Sequence, residues 1–202
     1  MILHCATSNL HKLVEFQHAA EALAAGLFVI QPLPGIEGIA VAPETGDTFE
    51  ANAIQKALYY SAYTPEAIFA DDSGLAVDAL NGAPGVHSAR YSGKDGDADA
   101  NNTLLLERMA GVENRSAHFV CVIALALRGH LIGTFRGTVD GYIIDSRRGG
   151  QGFGYDPLFF YPPYNSTFGE ATAEQKLMVS HRGRAFVKML EHLRESPMIK
   201  SI

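Results

Sequence analysis

The stretch "SAHFVCVIALAL" at residues 116–127, followed by Arg128-Gly129-His130 and then "LIGTFRGTVDGYII", constrains the fold more than any other feature. Apolar and β-branched residues on both sides of a glycine turn predict a long antiparallel hairpin. Before it the texture is different. Residues 2–6 are a short apolar run suited to a buried strand. In "TSNLHKLVEFQHAAEALAAG", Leu13, Phe16, Ala20 and Leu23 then recur at helical spacing, with Ser8 or Asn9 able to cap the start and Gly26 able to end it. A second short strand follows in "FVIQPLPG", and a second helix in "DTFEANAIQKALYYSAY", where Asp47 and Glu50 have capping-box spacing. A third helix is predicted in "DADANNTLLLERMAG", ending at Gly111, and a helical tail over residues 174–195. Helices mixed with a central hairpin predict an α/β or α+β class built on a mixed sheet. No repeat or linker interrupts the pattern, so residues 1–202 are expected to form one domain.

Composition excludes several functions. Sixteen basic against twenty-two acidic side chains give a net charge of −6, which argues against a nucleic-acid polymer as partner. A small polyanion needs only a few local cations and stays open. Cys5 and Cys121 lie singly in apolar segments, too few for a disulfide scaffold, and read as reduced core cysteines. No basic region followed by a long apolar run opens the chain, and the longest apolar run has nine residues. A soluble cytoplasmic protein, without a membrane partner, is the expectation.

Several segments carry candidate chemistry. Residues 67–70, "AIFA", read as a buried strand that ends in Asp71 and Asp72, followed by Ser73-Gly74. Side chains alternate along a strand, so the two acids share a face only if the strand has already broken. The pair offers oxygen ligands to a divalent cation, or merely caps a turn. Thr7, Ser8 and Asn9 with Lys12 at a helix start suit a phosphate, although an ordinary N-cap beside a solvated lysine explains them as well. Glu44 precedes a helix on which Asn52 and Lys56 share a face. "GGQGFGYDP" is neither a dinucleotide fingerprint nor a P-loop; its glycines sit beside Phe153, Tyr155 and Asp156, suited to clasping a flat base. In "SHRGRA", His181 and Arg182 occupy the first turn of a helix, where cations oppose the dipole and suit an anion or a carbonyl edge.

Taken together, "ATSNLHKLVEF", "ETGDTFEANAIQKA", "ADDSGLAVDALNGAPGVHSARYSG", "GGQGFGYDPLF" and "SHRGRA" resemble, in order and interval, the inosine triphosphate pyrophosphatase (Ham1-like) family. The resemblance covers residues 5–185. It implies an elongated α/β fold with a mixed sheet and two lobes, with the nucleotide in the central cleft. It implies Mg²⁺-dependent hydrolysis of ITP, dITP and XTP to the monophosphate and pyrophosphate, by a homodimer. Thr7, Ser8, Asn9, Leu10, His11 and Lys12 would cradle the phosphates. Glu44 and Asp72 would serve the metal, Asp72 also activating water, and Ser73 would contact substrate. Phe153, Gly154, Tyr155, Asp156, Lys176, His181 and Arg182 would hold base and ribose. The stretch "YNSTFGEATAEQKLMV" is looser than the family's usual acidic stretch, and Ser8 stands where many relatives have glycine. Two rivals are a pyrophosphatase for other nucleotides and a binding regulator that has lost turnover. The presence of both acids, Glu44 and Lys12 argues against the regulator.

Overall fold

The computed structural model describes residues 1–195. Seven strands form one sheet in the order β2-β1-β3-β4-β5-β6-β7, with β1 at Ile2–Cys5, β2 at Val29–Pro32, β3 at Ile68–Val77, β4 at Ser116–Leu127, β5 at His130–Ile143, β6 at Phe159–Tyr161 and β7 at Ser166–Thr167. Among the described residues five α-helices accompany it: α1 at Leu10–Ala24, α2 at Phe49–Tyr60, α3 at Ala98–Arg108, α4 at Ala173–Val179 and α5 at His181–Glu195. β1 runs parallel to both β2 and β3. Parallel neighbours need a crossover, and α1 and α2 supply the connections. β6 pairs antiparallel with β5 and β7, so the sheet is mixed as the sequence predicts.

The central hairpin follows its sequence closely. β4 covers the predicted residues, and the turn needs only Arg128 and Gly129, both at positive φ (50° and 80°). Two left-handed residues match the twist of the flanking strands, which lets β5 start at His130.

Three local expectations are corrected. β3 does not stop before the acids; it runs unbroken through Asp71, Asp72, Ser73 and Gly74. α2 is capped by Thr48, whose hydroxyl accepts the Ala51 amide at 3.1 Å, not by Asp47. Glu50 does not close a box; it accepts a 2.6 Å hydrogen bond from the Thr134 hydroxyl. The helical tail is two helices, because Ser180 adopts an extended conformation (ψ 156°) between α4 and α5.

The chain divides into two compact units. The first contains Met1–Asp72, Cys121–Gly137 and residues 181–195; the second contains Ser73–Val120 and Thr138–Ser180. In the first, Phe16 of α1 packs edge-on to Phe69 of β3 at 5.0 Å and against Phe186 of α5 at 5.3 Å, all three fully buried. Burying such a ring contributes about 1.5–3 kcal/mol. The cluster holds α1 and α5 against the Phe69 side of β3. Gly137 permits close approach of α5, because a Cβ there would collide with the His181 carbonyl and the Ala185 amide. In the second unit Leu75, Val77, Leu105, Met109, Phe119, Phe159 and Phe168 form the core, with Phe119 and Phe159 ring centroids 4.6 Å apart.

Candidate active site

The continuity of β3 decides how its two acids are used. Side chains two apart on a strand share a face, so Asp71 lies with Phe69, on the side of α1 and α5. The Lys12 ammonium of α1 donates to Asp71 Oδ2 at 2.9 Å, and Arg182 Nε of α5 lies 3.9 Å from the same oxygen. The Cys121 thiol of neighbouring β4 also points to it, at 3.9 Å. Asp72 faces α2 instead. Asn52 Nδ2 donates to its Oδ2 at 3.1 Å, and the Lys56 ammonium to its Oδ1 at 3.2 Å.

These neighbours set the two carboxylates apart. Burial is the largest influence on Asp71 and opposes ionisation, but Lys12, Arg182 and Lys56 outweigh it and hold the carboxyl well below its usual range. For Asp72 burial is again largest, and with Glu44 nearby it wins over Lys56, Lys12 and Asn52, so its pKa is raised. Burial pulls Lys56 down, yet Asp72, Asp71 and Glu44 together raise it, so its ammonium stays charged. Asp71 is a fixed anion, and Asp72 is the more basic of the pair. Both cysteines are buried and unbonded to each other, and burial first of all pushes their thiols up, which agrees with reduced core cysteines.

Glu44 and Asp72 meet at one cation. Lys56 Nζ lies 3.2 Å from Glu44 Oε1 and 3.2 Å from Asp72 Oδ1. Two carboxylates converging on one positive charge are chemically suited to a hard divalent ion, which prefers oxygen donors. Among the described residues no group of three or more His, Cys, Asp or Glu side chains gathers as a metal cage. The pair therefore fits an ion such as Mg²⁺ that takes one or two carboxylates and completes its shell from phosphate and water.

At the start of α1, Asn9 is the cap. Its Oδ1 accepts the His11 and Lys12 amides at 3.0 and 3.2 Å, and Thr7 Oγ1 accepts the Asn9 amide at 3.1 Å. Ser8, Leu10 and His11 are exposed there, while Lys12 is drawn inward by Asp71. Arg182 is buried by a salt bridge to Glu15 of α1, and its guanidinium lies over Phe16. The sequence expectation of a base-reading Arg182 thus meets a residue already engaged by two acids. His181, the first residue of α5, is buried beside it in the chain.

The other candidates belong to the second unit. Lys176 of α4 donates to Asp156 Oδ2 at 2.6 Å, both residues buried, and its ammonium lies 4.9 Å from the Phe153 ring centroid. Asp156 Oδ2 also accepts the Phe153 amide at 2.7 Å. Gly152 sits at φ 71°, and a Cβ there would strike the Asp156 carboxylate, so glycine is required twice over. The Tyr155 hydroxyl donates to the Ser88 carbonyl at 2.9 Å, and Asn102 Nδ2 to the Gly154 carbonyl at 2.9 Å. Ser73 is half-buried at the start of this unit. Phe153, Gly154, Tyr155, Asp156 and Lys176 are thus brought together, and Lys12, Glu44, Asp72 and Arg182 gather around the acids. Glu15 and Asn102 were missed from sequence. Two consecutive asparagines inside the third helix, where they are poor formers, were the available signal for Asn102.

The fold and the residues around β3 define an α/β protein with a buried acidic pair answered by lysines and a separate glycine–aromatic loop. The model of the Ham1 family matches residues 3–192. A dITP/XTP pyrophosphatase of Desulfotalea psychrophila is 46% identical over 91% of this chain and 81% of that protein. One from Exiguobacterium sp. is 45% identical over 94% of this chain and 95% of its own. The solved structure of a HAM1 protein from Coxiella burnetii has a TM-score of 0.85 at 36% identity, covering 97% of this chain and all (100%) of that one. The Staphylococcus aureus Ham1 protein gives 0.84 at 35%, covering 96% and 98%. The chain belongs to the Ham1 family.

Proposed function

We propose that this protein hydrolyses non-canonical purine nucleoside triphosphates (dITP, ITP and XTP) to the monophosphate and pyrophosphate, removing them from the nucleotide pool. The observation that carries the reading is the division of labour between Asp71 and Asp72. Asp71 is neutralised by Lys12 and Arg182, whereas Asp72 keeps a raised pKa between Asn52 and Lys56. Its relatives' names, dITP/XTP pyrophosphatases, support the substrate class.

In this mechanism Asp72 accepts the proton of water as the water oxygen bonds to the α-phosphorus and the bond from that phosphorus to the α,β-bridging oxygen breaks. Pyrophosphate leaves with the bonding electrons. Asn52 and Lys56 fix the orientation of Asp72, which is where a general base gains its efficiency. Glu44 and Asp72 would hold Mg²⁺, and the bound ion would offset charge on the phosphates. Lys12 and the Thr7–Asn9 cap would bind phosphate, and Phe153 would stack on the base, with Lys176 donating to its edge. His181 and Arg182 would support the base and ribose, Arg182 from its place between Glu15 and Asp71.

We further propose a cytoplasmic homodimer, on the family resemblance. No helix among the described residues is long and apolar enough to cross a membrane. Release of pyrophosphate and monophosphate in equal amounts from dITP with Mg²⁺ tests the activity; substrate left intact would overturn it.

A further inference from the structure

Residues 149–156 carry Phe153 and Asp156, and their backbone is tied at few points, among them the Asp156 amide to the Phe153 carbonyl, and the Gln151 amide and the Asp156 carbonyl to Gly169. Gly149, Gly152 and Gly154 all lie at positive φ (80°, 71° and 62°), a region glycine visits freely and leaves freely. Side chains supply much of the rest: Asp156 holds the Phe153 amide from within the segment, Asn102 of α3 holds Gly154, and the Ser88 carbonyl holds the Tyr155 hydroxyl.

Two consecutive amides of α3 do this. Asn102 Nδ2 donates to the Gly154 carbonyl at 2.9 Å. Asn101 Nδ2 donates to the Ala89 carbonyl at 3.0 Å, and its Oδ1 accepts the Ser92 amide at 2.8 Å. That fixes the segment whose Ser88 carbonyl receives the Tyr155 hydroxyl at 2.9 Å. Gly154 is therefore gripped directly and Tyr155 through one intermediate segment, both from one turn of one helix.

Asn102 is the more telling of the two. It is 3% exposed, and its Oδ1 is buried without a hydrogen-bond partner among the described residues. A buried acceptor left unsatisfied is destabilising, and asparagine is a poor residue for a helix interior. Leucine has a similar branched outline, though more bulk, and suits the helix better. What asparagine has and leucine lacks is the N–H that reaches Gly154. A residue kept against stability in this way points to function.

We propose that Asn102 is a positioning residue for substrate binding: it clamps Gly154 and so holds the Phe153 ring ready for the base. This rests on the reading of residues 153–156 as the base-binding loop. A clamp of this kind lowers the ordering entropy that substrate must otherwise overcome on binding. Its loss falls on KM, and the proton transfer at Asp72 is untouched.

Asn102→Leu is the test, read three ways. The variant loses an unsatisfied oxygen and gains a better helix former while the Gly154 carbonyl loses its donor, so the melting temperature changes little. Hydrogen–deuterium exchange of residues 149–156 in the substrate-free protein becomes faster. KM for dITP rises about three- to tenfold, as expected for one lost hydrogen bond, with kcat within about twofold of wild type. If Asn102→Leu does not fold, Asn102→Asp keeps the volume and turns an oxygen towards the Gly154 carbonyl, and the same rise in KM is expected. Unchanged exchange and KM in a folded variant overturn the inference, as does a parallel loss of melting temperature and kcat with KM unmoved. Wild-type protein inert towards dITP would instead overturn the proposed activity, and the exchange measurement would still judge the clamp.

Discussion

Asp71 and Asp72, adjacent in an unbroken strand, draw their countercharges from different helices: Asp71 from Lys12 of α1 and Arg182 of α5, Asp72 from Lys56 of α2. Strand alternation alone would place them on opposite faces, and the lysines make both faces habitable for a carboxylate. The two acids consequently fail differently when removed.

Asp72→Asn keeps the size and one acceptor but loses basicity. It should lower kcat on dITP by about 10²–10⁴-fold in a protein that still folds, Lys56 keeping Glu44 as its partner. Asp71→Asn leaves half-buried Lys12 beside a neutral amide and Arg182 with Glu15 alone, so the loss should fall below the about 3–5 kcal/mol of breaking a fully buried pair. Urea unfolding should register that loss. A folded Asp72→Asn enzyme with wild-type kcat at saturating Mg²⁺ contradicts Asp72 as the general base.

Lys56 is the link between Glu44 and Asp72. In Lys56→Met the two carboxylates repel each other without a shared countercharge, which lowers stability in the absence of divalent ions. Millimolar Mg²⁺ should then raise the melting temperature of Lys56→Met more than that of the wild type, and EDTA should remove the difference. Equal Mg²⁺ responses in the two proteins contradict a metal role for this pair.

Glu170 gives a pH prediction away from the acids. The Thr167 amide first, and then Arg148, stabilise its ionised form, so its pKa in the folded protein lies below the ordinary 4.5. A lowered folded pKa means stability that is present above the ordinary value and lost as pH falls through the folded one. Glu170→Gln should therefore be less stable than wild type at pH 7, with the gap closing in acid. A gap that is constant with pH would assign the effect to lost packing.

The proposed place of Lys176 at the base edge sets an expected base preference. Its ammonium can donate but never accept, which suits a purine carrying oxygen at C6 and leaves an amino group unpaired. Each mismatched buried group costs roughly 1–3 kcal/mol, so kcat/KM should favour ITP over ATP by tenfold or more. Equal values for the two nucleotides would remove Lys176 from base reading.

The oligomer is tested by light scattering at micromolar concentration. A homodimer scatters as twice the 21.8 kDa chain, and a particle of 21.8 kDa contradicts it.

Where the sequence was legible, local chemistry decided the structure. The hairpin is an example, since apolar alternation and a two-residue turn need nothing from elsewhere in the chain. The acids were misread as a strand end for the opposite reason. Charge inside a core strand looks forbidden until Lys12, Lys56 and Arg182 arrive from 59, 16 and more than a hundred residues away. Thr48 outcompeted Asp47 as a cap by one residue, a difference within the ordinary uncertainty of helix boundaries. Arg182 is legible as a cation set against the dipole of a helix start, but its pairing with Glu15, from the far end of the chain, is not. Asn102 shows the same limit, because a mid-helix asparagine announces an inconsistency without naming the carbonyl it holds.

The central claim is pyrophosphohydrolysis of non-canonical purine triphosphates, and one measurement addresses it directly: products formed from XTP, dITP and dATP by the purified protein with Mg²⁺, resolved by ³¹P NMR. Pyrophosphate and monophosphate are expected in equal amounts from XTP and dITP, with dATP turned over at least tenfold less efficiently, on the order of 1.4 kcal/mol of discrimination. Orthophosphate with the diphosphate, or equal consumption of all three nucleotides, would contradict it.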